Sequence, residues 1–438
     1  MKRHLHAQLI AWKEDPRRKP LVMEGARQVG KTYLLTHFGQ EEYEDFAYFN
    51  FEQDPHLDDL FQGKLEAERL IEKLSIYREK KIKSKETLIF FDEIQESESA
   101  LKSLKYFHEQ ANHYHIVSAG SLLGIKLKYL QGFPVGQVNF LTLRPVSFFE
   151  FLEASGKTQL KELLEKKKDI DPLPESFHQE LIDLLKIYYY IGGMPEVTQS
   201  YLEERDFDKV RHLQKEILKS FEYDFSKHAS GNIIHKIRQV WASLPSQLAR
   251  ENKKFTYTAI KKNARARDYE EALQWLVDAG LVQKCVSLTQ IGLPLSGYAD
   301  EHYFKVYLLD VGLLGAMYDL SARTIVEGNN LFTHFKGALV ENYVAQELRQ
   351  QKPSLYYWTS RGQAEIDFVV EHSEKIFPLE VKAGKNARSR SLQEFQKKYQ
   401  APHLSCTSLL HFHERNKVIY YPLYAILLFP NLTATVKA

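Results

Sequence analysis

Short apolar runs alternate with helical patterns through the first third of the chain. Residues 33–38, 57–82 and 100–110 repeat apolar positions at helical spacing, and residues 1–19 predict a further short helix. The apolar runs between these helices predict five strands, at residues 21–23, 45–51, 87–91, 115–119 and 138–143. Strands that alternate with helices predict a parallel sheet covered by helices, which is the α/β class.

The pattern changes after residue 143 and again after residue 250. Helical segments continue to about residue 225, interrupted by a charged, proline-containing stretch at residues 162–174. Residues 250–310 combine a short helix with two strand-like segments around a Gly/Pro-rich loop, which is typical of a winged helix. The last part predicts a helix at residues 335–348 followed by three strands. The sequence therefore predicts a multidomain α/β protein.

Composition limits the number of domains and the kinds of partner. A chain of 438 residues is long enough for about two to four domains. The net charge of +2 indicates no general affinity for nucleic acid, so any such site is local. Cys285 and Cys406 have no metal-ligand spacing and indicate a reducing compartment. The basic N-terminus lacks the apolar centre of a signal peptide, and the late apolar stretch at residues 420–430 is about half of what spans a bilayer. We therefore expect a cytoplasmic protein with no membrane partner.

The first apolar run leads directly into a motif for binding phosphate. Residues 25–32, GARQVGKT, fit the pattern G-x-x-x-x-G-K-[ST] without a mismatch. In this pattern Lys31 reaches the β- and γ-phosphates, Thr32 is a Mg²⁺ ligand, and the opening helix directs its positive end at the anion. A chance match is the alternative, and the strand before the motif and the helix after it argue against it. We expect ATP to be bound by Gly25, Ala26, Arg27, Gln28, Val29, Gly30, Lys31, Thr32 and Tyr33.

Two acidic residues follow the third predicted strand. Asp92 would hold Mg²⁺, and Glu93 would orient and deprotonate the attacking water, with Lys31 completing the catalytic set. The alternative is that both carboxylates are solvated and cap the next helix. Ser118 and Ser121, at the end of the fourth strand, either sense the γ-phosphate or form an ordinary strand-to-helix turn.

Two features of the middle region allow alternatives. Residues 192–195, Gly-Gly-Met-Pro, break a helical region, either as a corner of a bundle or as a lid over the nucleotide base. The winged-helix pattern carries a basic stretch at residues 252–267, but its helix bears Glu270, Glu271 and Asp278, which would meet phosphates unfavourably. The module therefore either contacts DNA or has a structural role.

The last region carries acidic residues and a lysine in a pattern typical of metal-dependent phosphodiester cleavage. Asp367 and Glu380 lie on predicted strands, Lys382 shares a face with Glu380, and Glu341 lies on the preceding helix. The basic residues Lys385, Arg388 and Arg390 follow. We expect the three carboxylates to hold a second divalent metal and Lys382 to act as the lysine of the triad. A structural cluster of salt bridges is the alternative.

In this order, the motifs GARQVGKT, FFDEIQ, SAGSLLG, PVSFFEFL, IGGMPEV, WLVDAGLV, LLDVGLLG and AEIDFVV…PLEVKAG resemble a known family. The chain resembles prokaryotic AAA-type ATPases whose C-terminal region is domain of unknown function 4143, related to restriction-endonuclease-like nucleases. The resemblance implies an AAA/P-loop ATPase core at residues 1–145, a helical lid at 146–230, a winged helix at 231–325 and a restriction-endonuclease-like domain at 326–438.

The resemblance also implies roles for individual residues. Gly193-Met194-Pro195 is similar to the motif with which signalling ATPases place a proline against adenine, so Pro195 is expected at the base. The family usually has Lys or Arg where this chain has Gln137, so the role of that basic residue falls to another group, such as Arg144, and no arginine finger is assigned.

Two functions follow as hypotheses. In the first, a Mg²⁺-dependent ATPase couples its nucleotide state to a DNA-associated, nuclease-like module. In the second, the chain is a nucleotide-gated scaffold or signalling switch whose C-terminal module binds nucleic acid or protein without cleavage. A homo-oligomer and a monomer are both compatible with the sequence.

Overall fold

The computed structural model describes residues 1–129, 136–250, 254–325, 333–360, 364–384 and 390–432. The chain forms two compact units. The first comprises Met1–Arg144 together with Asp278–Leu281, and the second comprises Pro145–Val277 together with Val282–Ala438. No helix within the described ranges is long and apolar enough to cross a membrane.

The first unit is a parallel sheet with helices, as predicted. Its strands are β1 Leu21–Glu24, β2 Asp45–Asn50, β3 Thr87–Asp92, β4 His115–Ala119 and β5 Asn139–Thr142. Its helices are α1 Leu5–Glu14, α2 Lys31–Glu42, α3 Leu57–Leu60, α4 Ala67–Tyr77, α5 Glu98–Gln110 and α6 Leu123–Tyr129. The strands lie in the order β2-β3-β4-β1-β5, and every pair is parallel. The predicted α/β class is therefore confirmed for this unit.

The centre of this sheet is buried on both faces. Every residue of β3 and β4 is buried, which explains why each reads as a continuous apolar run in the sequence. The core on one face is rich in phenylalanine, with Phe91 of β3 in ring contact with Phe49, Phe51, Phe61 and Phe107. Because both strands are fixed by this packing, their carboxyl ends are held firmly where the site residues follow.

The second unit combines helices with a larger sheet. Its helices are α7 Phe148–Ala154, α8 Thr158–Glu165, α9 Glu175–Ile191, α10 Pro195–Glu204, α11 Phe207–His228, α12 Gly231–Leu248, α13 Ala266–Asp278, α14 Val311–Met317, α15 Thr333–Arg349 and α16 Arg390–Tyr399. Its strands are β6 Val282–Leu288, β7 Ala299–Leu308, β8 Leu355–Thr359, β9 Glu365–His372, β10 Lys375–Val381, β11 Leu404–Ser408, β12 His413–Arg415 and β13 Val418–Pro422.

One eight-stranded mixed sheet contains all eight strands of this unit, in the order β12-β13-β11-β10-β9-β8-β6-β7. Strands β6 and β7 form the antiparallel hairpin that the sequence predicts as the wing. Strand β6 also pairs in parallel with β8, with Cys285 opposite Leu355. The hairpin of the predicted winged helix and the strands of the predicted C-terminal domain therefore share one sheet. The winged helix and the restriction-endonuclease-like fold stay predictions.

The Gly192-Gly193 break is a closely packed corner between α9 and α10. The Gly193 N–H donates to Asp310 Oδ2 at 2.6 Å, and the Gly193 carbonyl accepts from the Val146 N–H at 2.7 Å. A Cβ on Gly193 would lie 2.1 Å from the Val146 carbonyl oxygen, so only glycine fits. Burial raises the pKa of Asp310 to about 6, although it also accepts backbone hydrogen bonds. This packing is what a corner of a bundle requires.

Candidate active site

The phosphate-binding loop joins β1 to α2 with an unusual backbone. Gly25 has φ of +147°, and a Cβ there would lie 2.2 Å from the Leu143 carbonyl oxygen. Gln28 and Gly30 also have positive φ, of 65° and 92°. Helix α2 begins at Lys31, so the N–H groups of its first turn have no partner within the helix. Such a loop at a helix N-terminus fits a phosphate group.

Lys31 folds back over this loop. Its Nζ donates to the carbonyl oxygens of Gly25 and Ala26, both at 2.9 Å, and its side chain is 7% exposed. Burial lowers the pKa of Lys31 to about 8, and nearby Glu93 and Asp92 offset only part of this effect. A phosphate would supply the negative charge that the ammonium lacks.

Asp92 ends β3 and is held by neutral groups. Its Oδ2 accepts hydrogen bonds from Thr32 Oγ1 and the Tyr48 hydroxyl, each at 2.9 Å, and its Oδ1 accepts from the Glu93 N–H at 3.1 Å. Burial raises the pKa of this carboxyl. Thr32 and Asp92 are thus in direct contact, as the motif spacing predicts, and their oxygens are the ligand type that Mg²⁺ prefers. The residues present therefore fit Mg²⁺.

Glu93 adopts a left-handed backbone conformation, with φ of 48° and ψ of 41°. Its Oε2 accepts from Ser121 Oγ at 3.1 Å, the Ser121 N–H at 3.3 Å and Gln95 Nε2 at 2.5 Å. A non-glycine residue with positive φ costs about 1 kcal/mol or more and is typical of functional sites. The helix that follows, α5, is capped instead by Ser97, whose side chain accepts from the Ala100 N–H. Asp92 and Glu93 therefore do not cap α5, which was the alternative role.

Ser118, within β4, and Ser121, just after it, have different partners. Ser118 donates to the Leu21 carbonyl and links β4 to β1, whereas Ser121 contacts Glu93 as described above. Sequence reasoning missed Gln95 and Tyr48. The sequence contains a signal for Gln95, because this residue lies two positions after Glu93. It contains no signal for Tyr48, which is one of the alternating residues of β2.

The remaining predicted residues of this site lie as follows. Tyr33 is on the first turn of α2 and is 58% exposed. Gln137 precedes β5 and is partly exposed, and the Arg144 carbonyl accepts from Arg3 Nη2 at 2.5 Å. Pro195 is the first residue of α10, in the second unit, and its contact with adenine stays a prediction.

The predicted nuclease-like residues lie in the second unit, around a lysine that sequence reasoning missed. Lys305 of β7 is fully buried, and its Nζ lies 2.9 Å from Glu341 Oε1 and 2.6 Å from Glu365 Oε1. Asp367 Oδ1 lies 3.6 Å from the same nitrogen. Glu365 was also missed, although it lies two residues before Asp367 and so shares its face of β9.

Glu380 and Lys382 form a separate ion pair of 2.5 Å. Burial lowers the pKa of Lys382, but Glu380 and Asp367 more than offset this and raise it above the ordinary value. Burial raises the pKa of Glu380, although Lys382 lowers it. Asp367 Oδ2 accepts from the Val381 N–H at 2.8 Å. Lys385 and Arg388 lie outside the described residues.

The predicted second metal does not fit this arrangement. Within the part of the chain that the structure describes, no three side chains of His, Cys, Asp or Glu are arranged to hold a metal ion. Glu341 and Asp367 contact the Lys305 ammonium instead, and Glu380 contacts Lys382. We therefore assign no chemical step to a metal in the second unit.

The parallel sheet, the phosphate-binding loop and the contacts of Thr32, Asp92 and Glu93 define a P-loop ATPase domain. The comparison with protein families supports this class, because residues 17–152 match the AAA domain. Residues 182–324 match a domain of unknown function (DUF8612), and residues 336–426 match another (DUF4143). The AAA domain and the DUF4143 domain are those that the resemblance implied.

Solved structures with a similar course of the chain have low sequence identity to it. The Walker-type ATPase PABY2304 of Pyrococcus abyssi is 14% identical, with a TM-score of 0.44, over 72% of this chain and 95% of that one. The ORC1 protein of Aeropyrum pernix, solved in complex with DNA, is 13% identical, with a TM-score of 0.31, over 73% and 93%. AMPPCP-bound DnaA from Aquifex aeolicus is 13% identical, with a TM-score of 0.27, over 63% and 86%. These values are too low to support an inference about function. The comparison with curated proteins gives no match.

Proposed function

We propose that this chain is a Mg²⁺-dependent ATPase whose nucleotide state controls its second unit. The observation that carries the proposal is the set of contacts at the carboxyl end of β3. Thr32 Oγ1 and Asp92 Oδ2 lie 2.9 Å apart, and the next residue, Glu93, is oriented by Ser121 and Gln95. A helix N-terminus, a hydroxyl, a metal-binding carboxylate and a positioned base are the parts that ATP hydrolysis requires.

Each residue has a specific task in this proposal. Backbone N–H groups of residues 25–33 bind the phosphates, and Lys31 exchanges its contacts with loop carbonyls for contacts with phosphate oxygens. Thr32 and Asp92 would hold Mg²⁺, and the ion would supply positive charge to the transferred phosphoryl group. Glu93 accepts a proton from the attacking water, and Ser121 fixes the carboxylate that does so.

Replacing Glu93 by Gln tests this assignment. The amide has nearly the shape of the carboxylate but is not a base, so phosphate release from ATP with Mg²⁺ is expected to slow by about 10² to 10⁴ fold. Binding of a fluorescent ATP analogue should persist. Glu96, exposed on the same turn, provides the control, since Glu96→Gln should turn over ATP like the wild type. Equal turnover in Glu93→Gln would remove Glu93 from the catalytic role.

For the second unit, we propose a module that binds nucleic acid or protein without cleaving it. Two observations support this choice over cleavage. The predicted metal ligands are paired with lysines, and the described residues form no group of three donors for a metal. DNA cleavage is the second candidate, since Asp367, Glu380 and Lys382 are close enough for Asp367 to influence the pKa of Lys382.

Labelled single- and double-stranded DNA, incubated with Mg²⁺ or Mn²⁺, separates these candidates. Intact DNA after incubation is expected for a module that only binds. Metal-dependent cutting that is lost in Lys382→Ala but kept in Lys375→Ala, an exposed lysine at the start of β10, would establish cleavage instead. Light scattering with and without a non-hydrolysable ATP analogue determines whether the nucleotide assembles a homo-oligomer.

A further inference from the structure

Lys305 lies at the one position of β7 where burial is difficult to explain by packing alone. Its neighbours Phe304 and Val306 are apolar and buried, and Lys305 is likewise 0% exposed, although β7 is the terminal strand of the sheet. A buried ammonium group is costly unless it is paired and hydrogen-bonded. Its position therefore depends on the carboxylates that surround it.

These carboxylates come from two other elements of the unit. Glu341 lies on α15 and Glu365 and Asp367 lie on β9, and their side chains are 4%, 34% and 17% exposed. The Tyr307 hydroxyl donates to the same Glu341 oxygen as Lys305. An ammonium group has three donors, and here three carboxylates from a helix and a strand face it.

We propose that Lys305 is a built-in cation, which takes the place of a divalent metal ion among Glu341, Glu365 and Asp367. The same ammonium joins the hairpin β6–β7 to α15 and β9. The inference concerns only the second unit and does not depend on ATP hydrolysis in the first.

A metal ion and the Lys305 ammonium exclude each other at this position. A divalent ion binds carboxylate oxygens at about 2.0 to 2.6 Å, and it would bind the same oxygens that lie 2.6 to 3.6 Å from Nζ. Two cations in contact with one set of oxygens repel each other strongly where water is excluded. Removing the ammonium would leave three carboxylates without their cation, and these are ligands that Mg²⁺ and Mn²⁺ prefer.

Replacing Lys305 by Ala in the full chain tests the inference by Mn²⁺ binding. An Asp92→Asn background limits binding at the ATPase site, and electron paramagnetic resonance measures free Mn²⁺ in nucleotide-free protein. The variant is expected to bind one Mn²⁺ at least about 10-fold more tightly than the same protein with Lys305. Adding Glu341→Gln should abolish the gain, and circular dichroism confirms that each variant is folded.

Two further measurements keep the test decisive. Lys305→Arg retains the positive charge and should show no gain in Mn²⁺ binding. If Lys305→Ala does not fold, the protein with Lys305 still gives an answer, because it should show no Mn²⁺ site that depends on Asp367. Mn²⁺ binding by the Lys305 protein that is lost on Asp367→Asn would overturn the proposal. An unchanged Mn²⁺ affinity in a folded Lys305→Ala variant would also overturn it.

Discussion

Each unit buries a lysine near carboxylates, and the surroundings shift the pKa of the two lysines in opposite directions. Lys31 donates to two backbone carbonyls, and burial lowers its pKa to about 8. Burial alone would also lower the pKa of Lys305, but Glu341, Asp367 and Glu365 raise it well above the ordinary value. Glu93 and Asp92 offset only part of the effect of burial on Lys31, whereas the carboxylates around Lys305 more than offset it.

This difference separates a site built for a ligand from a site whose charges are already paired. In the first unit, the carboxylate of Asp92 is held by hydroxyls of Thr32 and Tyr48, so neither it nor Lys31 is neutralised by the other. In the proposed function, Mg²⁺ and a phosphate would supply the missing charges. In the second unit, Lys305 pairs directly with the carboxylates. Similar residue types thus give a candidate catalytic site in one unit and a structural cluster in the other.

The largest expected effect is on folding stability, from replacing Lys305 by Met. The apolar side chain removes the cation from three carboxylates, of which Glu341 is buried, and breaking such a pair costs about 3 to 5 kcal/mol of unfolding free energy. Urea unfolding of the variant and the wild type measures the loss. Lys284, partly exposed on the neighbouring strand β6, is the matched control, since Lys284→Met should cost less than about 1 kcal/mol. A similar small loss for both variants would contradict the pairing.

The second prediction concerns the contribution of Lys31 to the pH dependence of folding stability. Its folded-state pKa of about 8 lies below the ordinary value of 10.5, so the unfolded chain binds more protons between these pH values. The stability of the wild type relative to Lys31→Met should therefore rise between pH 8 and 10.5, by up to about 3 kcal/mol.

Urea unfolding of both proteins at pH 7 and pH 10 measures this change. Lys305 should behave differently, because its pKa is raised and its stabilising effect is lost only above pH 10.5. If the difference in unfolding free energy between the wild type and Lys31→Met does not change with pH, burial does not lower the pKa of Lys31.

The smallest predicted effect concerns the orientation of Glu93. Ser121→Ala removes the hydroxyl that donates to the carboxylate, and a hydrogen bond of about 1 kcal/mol corresponds to a roughly 5- to 10-fold slower ATP turnover. Ser118→Ala is the control, because its hydroxyl donates to the Leu21 carbonyl and should affect stability more than turnover. Equal turnover in the two variants would indicate that Ser121 does not position the base.

The sequence is sufficient to predict the sheet of the first unit because its strands are continuous apolar runs. Residues 87–91 and 115–119 are close to β3 Thr87–Asp92 and β4 His115–Ala119 as observed. The motif spacing also predicts that Thr32 and Asp92 serve the same site. The strand order could not be predicted in this way, since it depends on which distant segments pair.

The second unit shows where sequence reasoning fails. The pattern Asp367…Glu380-x-Lys382 identifies the elements correctly, but a pattern of acids does not reveal which cation they face. Lys305 precedes Asp367 by 62 residues and lies on a strand predicted for a different domain. Its only signal is a lysine within a short apolar run. Such a residue is a reason to search for its counter-charges elsewhere in the chain.

The pairing of β6 with β8 has a consequence for how this protein can be divided. The segment that matches DUF4143 begins at residue 336, after both strands of the hairpin. A fragment that starts there would expose β8 as an unprotected edge, and it would lose Lys305 along with the strands that cover that edge. Residues 336–426 alone would therefore form an incomplete sheet that is prone to aggregation. A segment transferred by recombination must include the hairpin β6–β7 to keep the sheet protected at this edge.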